Sequence, residues 1–343
     1  MKERDLSIDF LRGLAIFTMI AANMAAYNYN EPHDFLFRLY GSFAAPTFIF
    51  ISGLLIPLNL LKSKRPFHYF FQRGTLTILV AAILDVFAWH VLPFSSFDVL
   101  YVIGLSIILN YIIFQINLWF HLSIALIFIL VSPIAQNIFG YNNSPFEIMI
   151  SDDNLLQTWI EGPFIRNFLI EGWFPIFPWL GISFMGSFCG RFFYKSGAKN
   201  RERLFSYFGG ILLTIGGSFW LLTNPKLITR SGYSELFYPP TLPYLITYLG
   251  LILFILGSHK FLLPKFMKQI LAVFGQSSLL MYILHSFLIA YFFSVNFEPC
   301  SFIKFIQLYL VHAFILWWIA KFIQAMRPNL KNYPFIIRYL TGT

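Results

Sequence analysis

Charge is what this chain is shortest of. Asp, Glu, Lys and Arg make up 11% of its 343 residues, whereas a soluble domain carries about 25%. A water-soluble globular protein is therefore not expected. Cysteine is nearly absent too. Cys189 and Cys300 stand far apart, which argues against a disulfide framework or a paired redox motif. No Cys/His pair has ligand spacing, so neither a zinc nor a haem site is expected. The net charge is +9, yet there is no basic module with interleaved aromatics, and nucleic acid is not expected as a partner. The first apolar run lacks a small-residue cleavage site and is interrupted by Asp9 and Arg12. It reads as a mature helix rather than a signal peptide.

What the chain has in abundance is apolar side chains. Hydrophobic residues make up 58%, with 43 Phe, and the mean hydropathy is +0.68. Ten runs approach the roughly 20 residues that cross a bilayer. They lie at about 7–27, 38–61, 74–92, 98–115, 117–139, 173–195, 203–222, 242–259, 270–295 and 302–325. The expected fold is an all-α integral membrane bundle of about ten transmembrane helices, forming a single domain over residues 1–343. The polar stretch at about 140–172 is long enough to form an outer lid or substrate platform.

Lys and Arg in the short loops set the expected orientation. With the N-terminus in the cytoplasm, eighteen fall on inner segments and five on outer ones, while Arg12 lies inside the first helix. Most acids fall outside. Both termini are then cytoplasmic, and the net charge reflects topology. The basic inner rim would attract lipid headgroups and an anionic cytoplasmic ligand.

Charges inside a membrane span are costly and mark function or a deliberate pairing. Asp9 and Arg12 sit at the inner end of the first helix, spaced to pair with each other. Asn23 lies roughly 20–25 Å further out at about 1.5 Å per residue. His33 follows in a polar connector with no evident packing role. His285, counted along the ninth run, reaches a depth similar to that of Asn23, although a lone His on an apolar helix is more often a packing residue. The sequence thus shows a polar inner mouth (Arg4, Asp9, Arg12) and a polar outer cluster (Asn23, His33, His285). Asp85 is a buried acid that could support either.

Three ordered blocks carry a family resemblance. The first is Arg4-x4-Asp9-x2-Arg12-Gly13-x-Ala15-Ile16, with Asn23, His33 and Pro46-x-Phe48-x-Phe50-Ile51-x-Gly53. The second is Gly172-Trp173-Phe174-Pro175-Ile176-Phe177-Pro178-Trp179-Leu180-Gly181-x4-Gly186. The third is Phe274-Gly275-x-Ser277-Ser278-Leu279-x2-Tyr282-x2-His285. Together they resemble the catalytic region of heparan-α-glucosaminide N-acetyltransferase and its bacterial relatives. The chain departs from the pattern at Ala44 and Ala45, where an acid often stands, which bears on the substrate more than on the chemistry. It resembles a bare bacterial-type catalytic core, and the bacterial inner (plasma) membrane is the expected location.

The resemblance implies an acyltransferase that moves an acetyl group from cytoplasmic acetyl-CoA to an amino sugar or glycan outside. It implies His33 as the catalytic histidine and Asn23 as its partner, with His285 as a further candidate. His33 suits a general base or an acyl-imidazole nucleophile, and Asn23 suits orienting the imidazole or donating to the oxyanion. The inner polar mouth, with Arg4, Asp9 and Arg12 joined by Arg73 and Arg191, suits the phosphates of CoA. Trp179 and Trp173 either line the pantetheine path or anchor the membrane interface. Two other functions stay open. One is O-acylation of a surface polysaccharide. The other is a small-solute or lipid-linked-sugar transporter, although no half-to-half repeat supports it. A homodimer also stays open.

Overall fold

The computed structural model describes every residue except 1–4, 143–145, 152–157, 159, 161, 194–197, 224–234, 331 and 343. Among the described residues there are helices but no strands, only two isolated bridges. The apolar helices are α1 (Leu6–Asn28), α2 (Phe35–Ser63), α3 (Phe67–Trp89), α4 (Val99–Phe114), α5 (Leu118–Phe139), α6 (Ile176–Phe193), α7 (Ala198–Thr223), α8 (Leu242–Leu262), α9 (Ser278–Asn296) and α10 (Phe302–Leu330).

Eight of the described helices are long and apolar enough to cross a membrane, and nine if Phe164–Glu171 and α6, bent by 49°, form one span. α4 occupies the place of the fourth expected span but has only 16 residues. The ninth expected run is not one helix. Lys265–Gln276 ends at Ser277, which leaves helical geometry and donates its Oγ to the Thr341 carbonyl at 3.0 Å. α9 starts after that break, so His285 lies only two turns from its start.

With the start of α1 taken as the lower face and its end as the upper face, α1 runs through the middle of the bundle. Asp5 caps it by accepting from the Ser7 amide at 3.1 Å. Glycines let its neighbours approach. A Cβ on Gly275 would lie 1.8 Å from the Asp9 carbonyl oxygen, and one on Gly53 of α2 would lie 1.8 Å from the Ser183 carbonyl oxygen of α6. With no hydrophobic drive between helices in lipid, close backbone contact supplies the attraction. Gly53→Leu is therefore expected to cost about 3 kcal/mol, the upper end of the usual overpacking range of about 1–3 kcal/mol. Thermal unfolding in detergent will check it, and a near-parent Tm would contradict this packing. Between α2, α4 and α6 the Ser52 Oγ meets Ser106 Oγ at 2.9 Å, and Asn110 Nδ2 donates to Ser183 Oγ at 3.0 Å.

The upper face is tied down by polar contacts. Ser42, at the break within α2, accepts from the Leu236 amide at 2.7 Å and from the Tyr244 hydroxyl through its carbonyl at 2.8 Å. Segment 235–238 is thereby held near the start of α2. α3 ends in a wide π-turn, Asp85–Trp89. Such turns re-aim side chains and recur at functional sites.

Candidate functional site

Among the described residues, two cavities in the bundle bear on function. The upper one, about 380 Å³, is lined by Asn23 from α1, Asp85 and Trp89 from the α3 π-turn, and Asp98 just before α4, with Glu147, Trp173 and Glu235 from the upper segments. The lower one, about 330 Å³, is lined by Arg12, Arg73 and Arg338, with Asn59, Tyr69 and Tyr339. Among the described residues the upper lining has four carboxylates and no Lys or Arg, and the lower lining has three arginines and no carboxylate. Phe48 and Tyr282 line both.

Beside the upper cavity, Asn23 Nδ2 lies 3.0 Å from His285 Nε2 across 262 residues of sequence. The other ring nitrogen, Nδ1, meets the carbonyl of Tyr282. A carbonyl only accepts, so Nδ1 carries the proton. Nε2 is then the basic nitrogen and accepts from Asn23. His285 itself is fully buried behind Asn23. Tyr282 also donates its hydroxyl to Asp98 Oδ2 at 2.8 Å. Asp85 accepts from the Tyr101 hydroxyl at 2.5 Å, which satisfies a carboxylate that is 1% exposed. Trp173 donates its Nε1 to Glu147 at 2.6 Å. Glu235 lies within electrostatic reach of Arg38.

In the lower cavity, Arg73 donates to the Tyr69 hydroxyl at 3.0 Å, and its guanidinium lies over the Tyr339 ring at 4.3 Å. Arg12 both lines the cavity and pairs with Asp9 at 3.6 Å. Asp9 is 4% exposed and does not reach the lining, so its place is beside Arg12.

The other sequence candidates are placed elsewhere. His33 stacks on Tyr29 with centroids 4.7 Å apart, meets Phe37 edge-on, and its Nε2 lies 3.3 Å from the Tyr29 carbonyl. It lines neither cavity and has a packing role after all. Arg191 donates to the Ile116 carbonyl at 2.8 Å and lies over Phe114, away from the lower cavity. Trp179 is fully buried against Phe174 and Phe237, behind the lining. Trp173, its neighbour in the motif, is the one that reaches the cavity. Arg4 lies outside the described residues.

Sequence reasoning missed Asp98, Glu147, Glu235 and Arg338, and saw Tyr282 only as part of a motif. An acid just before a helix reads as an N-cap, which hid Asp98. Glu235 and Arg338 come from segments with no local pattern.

A scan against protein families matches residues 4–218 to the family described as heparan-alpha-glucosaminide N-acetyltransferase, catalytic. The chain belongs to this family. A search of curated proteins finds no match. The heparan-alpha-glucosaminide N-acetyltransferase match includes Arg12, Asn23, Arg73, Asp85 and Asp98. Beyond it, Tyr282 and Arg338 line the cavities, and His285 stands behind Asn23. Membership implies an acyltransferase, and the long apolar helices make it one built for a membrane.

Proposed function

We propose that the protein is a transmembrane acyltransferase that moves an acetyl group from cytoplasmic acetyl-CoA to an amino sugar on the outer side. The observation that carries this reading is the segregation of charge between two cavities that meet at Phe48 and Tyr282. A lining with three arginines and no carboxylate, Arg12 sharing its charge with Asp9 behind it, suits the phosphates of CoA. Four carboxylates in the upper lining, of which Glu235 also lies within reach of Arg38, suit an ammonium, which favours an amine acceptor over a hydroxyl. Trp89, Trp173 and Tyr238 on the same wall supply the aromatic faces and few polar groups of a small-molecule site.

On this reading the lower face is cytoplasmic, as the eighteen-to-five distribution of Lys and Arg favours. Counting α4 as a short span and the bent pair as one makes ten crossings, with both termini inside and one domain over 1–343. Cysteine-accessibility labelling of segment 62–73 is expected to succeed only from the cytoplasm. Labelling from outside would overturn the orientation.

The chemistry runs directly from thioester to amine. The acceptor arrives as an ammonium and loses one proton to a carboxylate of the upper cavity. Its nitrogen attacks the thioester carbonyl carbon, and the carbonyl becomes an oxyanion. Asn23 Nδ2 turns from His285 to that oxyanion, which frees His285 Nε2 to take the second N–H proton. The C–S bond breaks, and CoA leaves as a thiolate that is protonated in turn. His285 is buried behind Asn23, which favours this route over an acyl-imidazole.

Purified protein with acetyl-CoA and glucosamine is expected to release free CoA, read with a thiol reagent. Glucose, which lacks the amine, is expected to release little. Equal or faster release with glucose would establish O-acylation instead. No release with any sugar or polyol would overturn the assignment of a sugar acceptor.

A further inference from the structure

Among the described residues, Phe48 and Tyr282 line both cavities and so stand between them. Phe48 comes from α2 and Tyr282 from α9. The Tyr282 backbone is held within α9, and its carbonyl is engaged by His285 Nδ1. Its ring leans edge-on against the His285 ring with centroids 5.0 Å apart. Its hydroxyl reaches up and donates to Asp98 at 2.8 Å. The ring is therefore anchored at both ends, by the helix below and by a carboxylate of the other cavity above. One turn above Phe48, α2 presents Ala44 and Ala45 to the upper cavity. Their small side chains leave room into which a freed ring can swing.

We propose that Tyr282 is a latched plug between the donor and acceptor cavities. The Tyr282–Asp98 hydrogen bond holds the ring closed against Phe48, and breaking it opens the way for a thin, thioester-bearing arm. The two cavities and the hydrogen bond stand by themselves, while the identity of the arm rests on the acyltransferase reading. Closed, the plug separates the membrane's two aqueous sides and keeps water in the upper cavity from the thioester.

The test needs no enzymatic activity, so its failure is distinct from failure of the acyltransferase reading. In sealed vesicles, with Cys189→Ser and Cys300→Ser as background, a single reporter Ser278→Cys lines only the lower cavity. Met149→Cys, which lines only the upper cavity, identifies the upper side and controls for reagent access. The probe is a membrane-impermeant trimethylammonium methanethiosulfonate. Added to the upper side of the background protein, it is expected to modify the Met149→Cys thiol quickly and the Ser278→Cys thiol slowly. Tyr282→Phe and Asp98→Asn are each expected to raise the upper-side rate at the Ser278→Cys thiol about tenfold, the population shift for losing one hydrogen bond to a charged group. Tyr282→Ala is expected to raise it further, and none of the three is expected to change the Met149→Cys rate. Fast upper-side labelling of Ser278→Cys in the background protein would overturn the plug, and so would an unchanged rate in Tyr282→Ala. Unchanged rates in both Tyr282→Phe and Asp98→Asn would overturn the latch. If Tyr282→Ala does not fold, those two milder variants decide the proposal.

Discussion

His285→Gln is expected to lower turnover by about 10²-fold or more while leaving acetyl-CoA affinity unchanged. Gln keeps an acceptor for Asn23 but cannot take a proton, so the loss measures proton transfer rather than packing. Removing a positioned general base typically costs about 10²–10⁴-fold. Asn23→Ala is expected to fall by a similar factor, because it takes away an oxyanion donor worth about 10²–10³. His33→Ala is expected to stay within a few fold, since His33 stacks on Tyr29 and lines neither cavity. Steady-state turnover together with calorimetric acetyl-CoA binding checks all three. If His33→Ala lost about 10²-fold while His285→Gln stayed near parent, the chemistry would belong to the connector after α1.

The second large effect is on donor binding. Arg73→Ala is expected to weaken acetyl-CoA binding roughly 10–100-fold, the worth of one hydrogen bond to a charged group at about 1.5–3 kcal/mol. Arg73 is already aimed by Tyr69 and Tyr339, so little ordering is lost when a phosphate arrives. Lys keeps the charge but loses the planar fork and the stacking, so Arg73→Lys is expected to fall between Ala and parent. Arg191→Ala is expected to bind normally, because its guanidinium is spent on the Ile116 carbonyl. Arg12→Ala is less discriminating, since it also leaves Asp9 buried beside a missing partner. Calorimetry on folded variants decides. Equal affinities for Arg73→Ala and Arg191→Ala would remove the lower cavity from the donor site.

Hydropathy by itself determined that the chain is a helical membrane protein and where most of its apolar helices lie. Burial of a span depends on residues adjacent in sequence, so each run is legible locally. Charge placement along the chain located the polar ends of α1 for the same reason. The motif blocks include Asn23 and His285, which the structure brings together at 3.0 Å. What the sequence did not separate was His33 from His285. A histidine in a polar connector looks available, whereas one on an apolar helix looks like packing, and the structure reverses that placement by stacking His33 on Tyr29 and setting His285 against Asn23.

The two cavities themselves were decided only by tertiary structure. Asp85 lines the upper one from the residue where α3 widens into a π-turn, a backbone change with no compositional mark. Tyr282 and Asp98 are 184 residues apart, and Arg12 and Arg338 meet the same space from opposite ends of the chain. The break at Ser277 set where α9 begins, and with it which of its side chains face Asn23 and Phe48. Such contacts depend on how helices cross, which the close-approach glycines permit but do not specify. Local hydrophobicity selects the helices, and only their packing brings charges of one sign together.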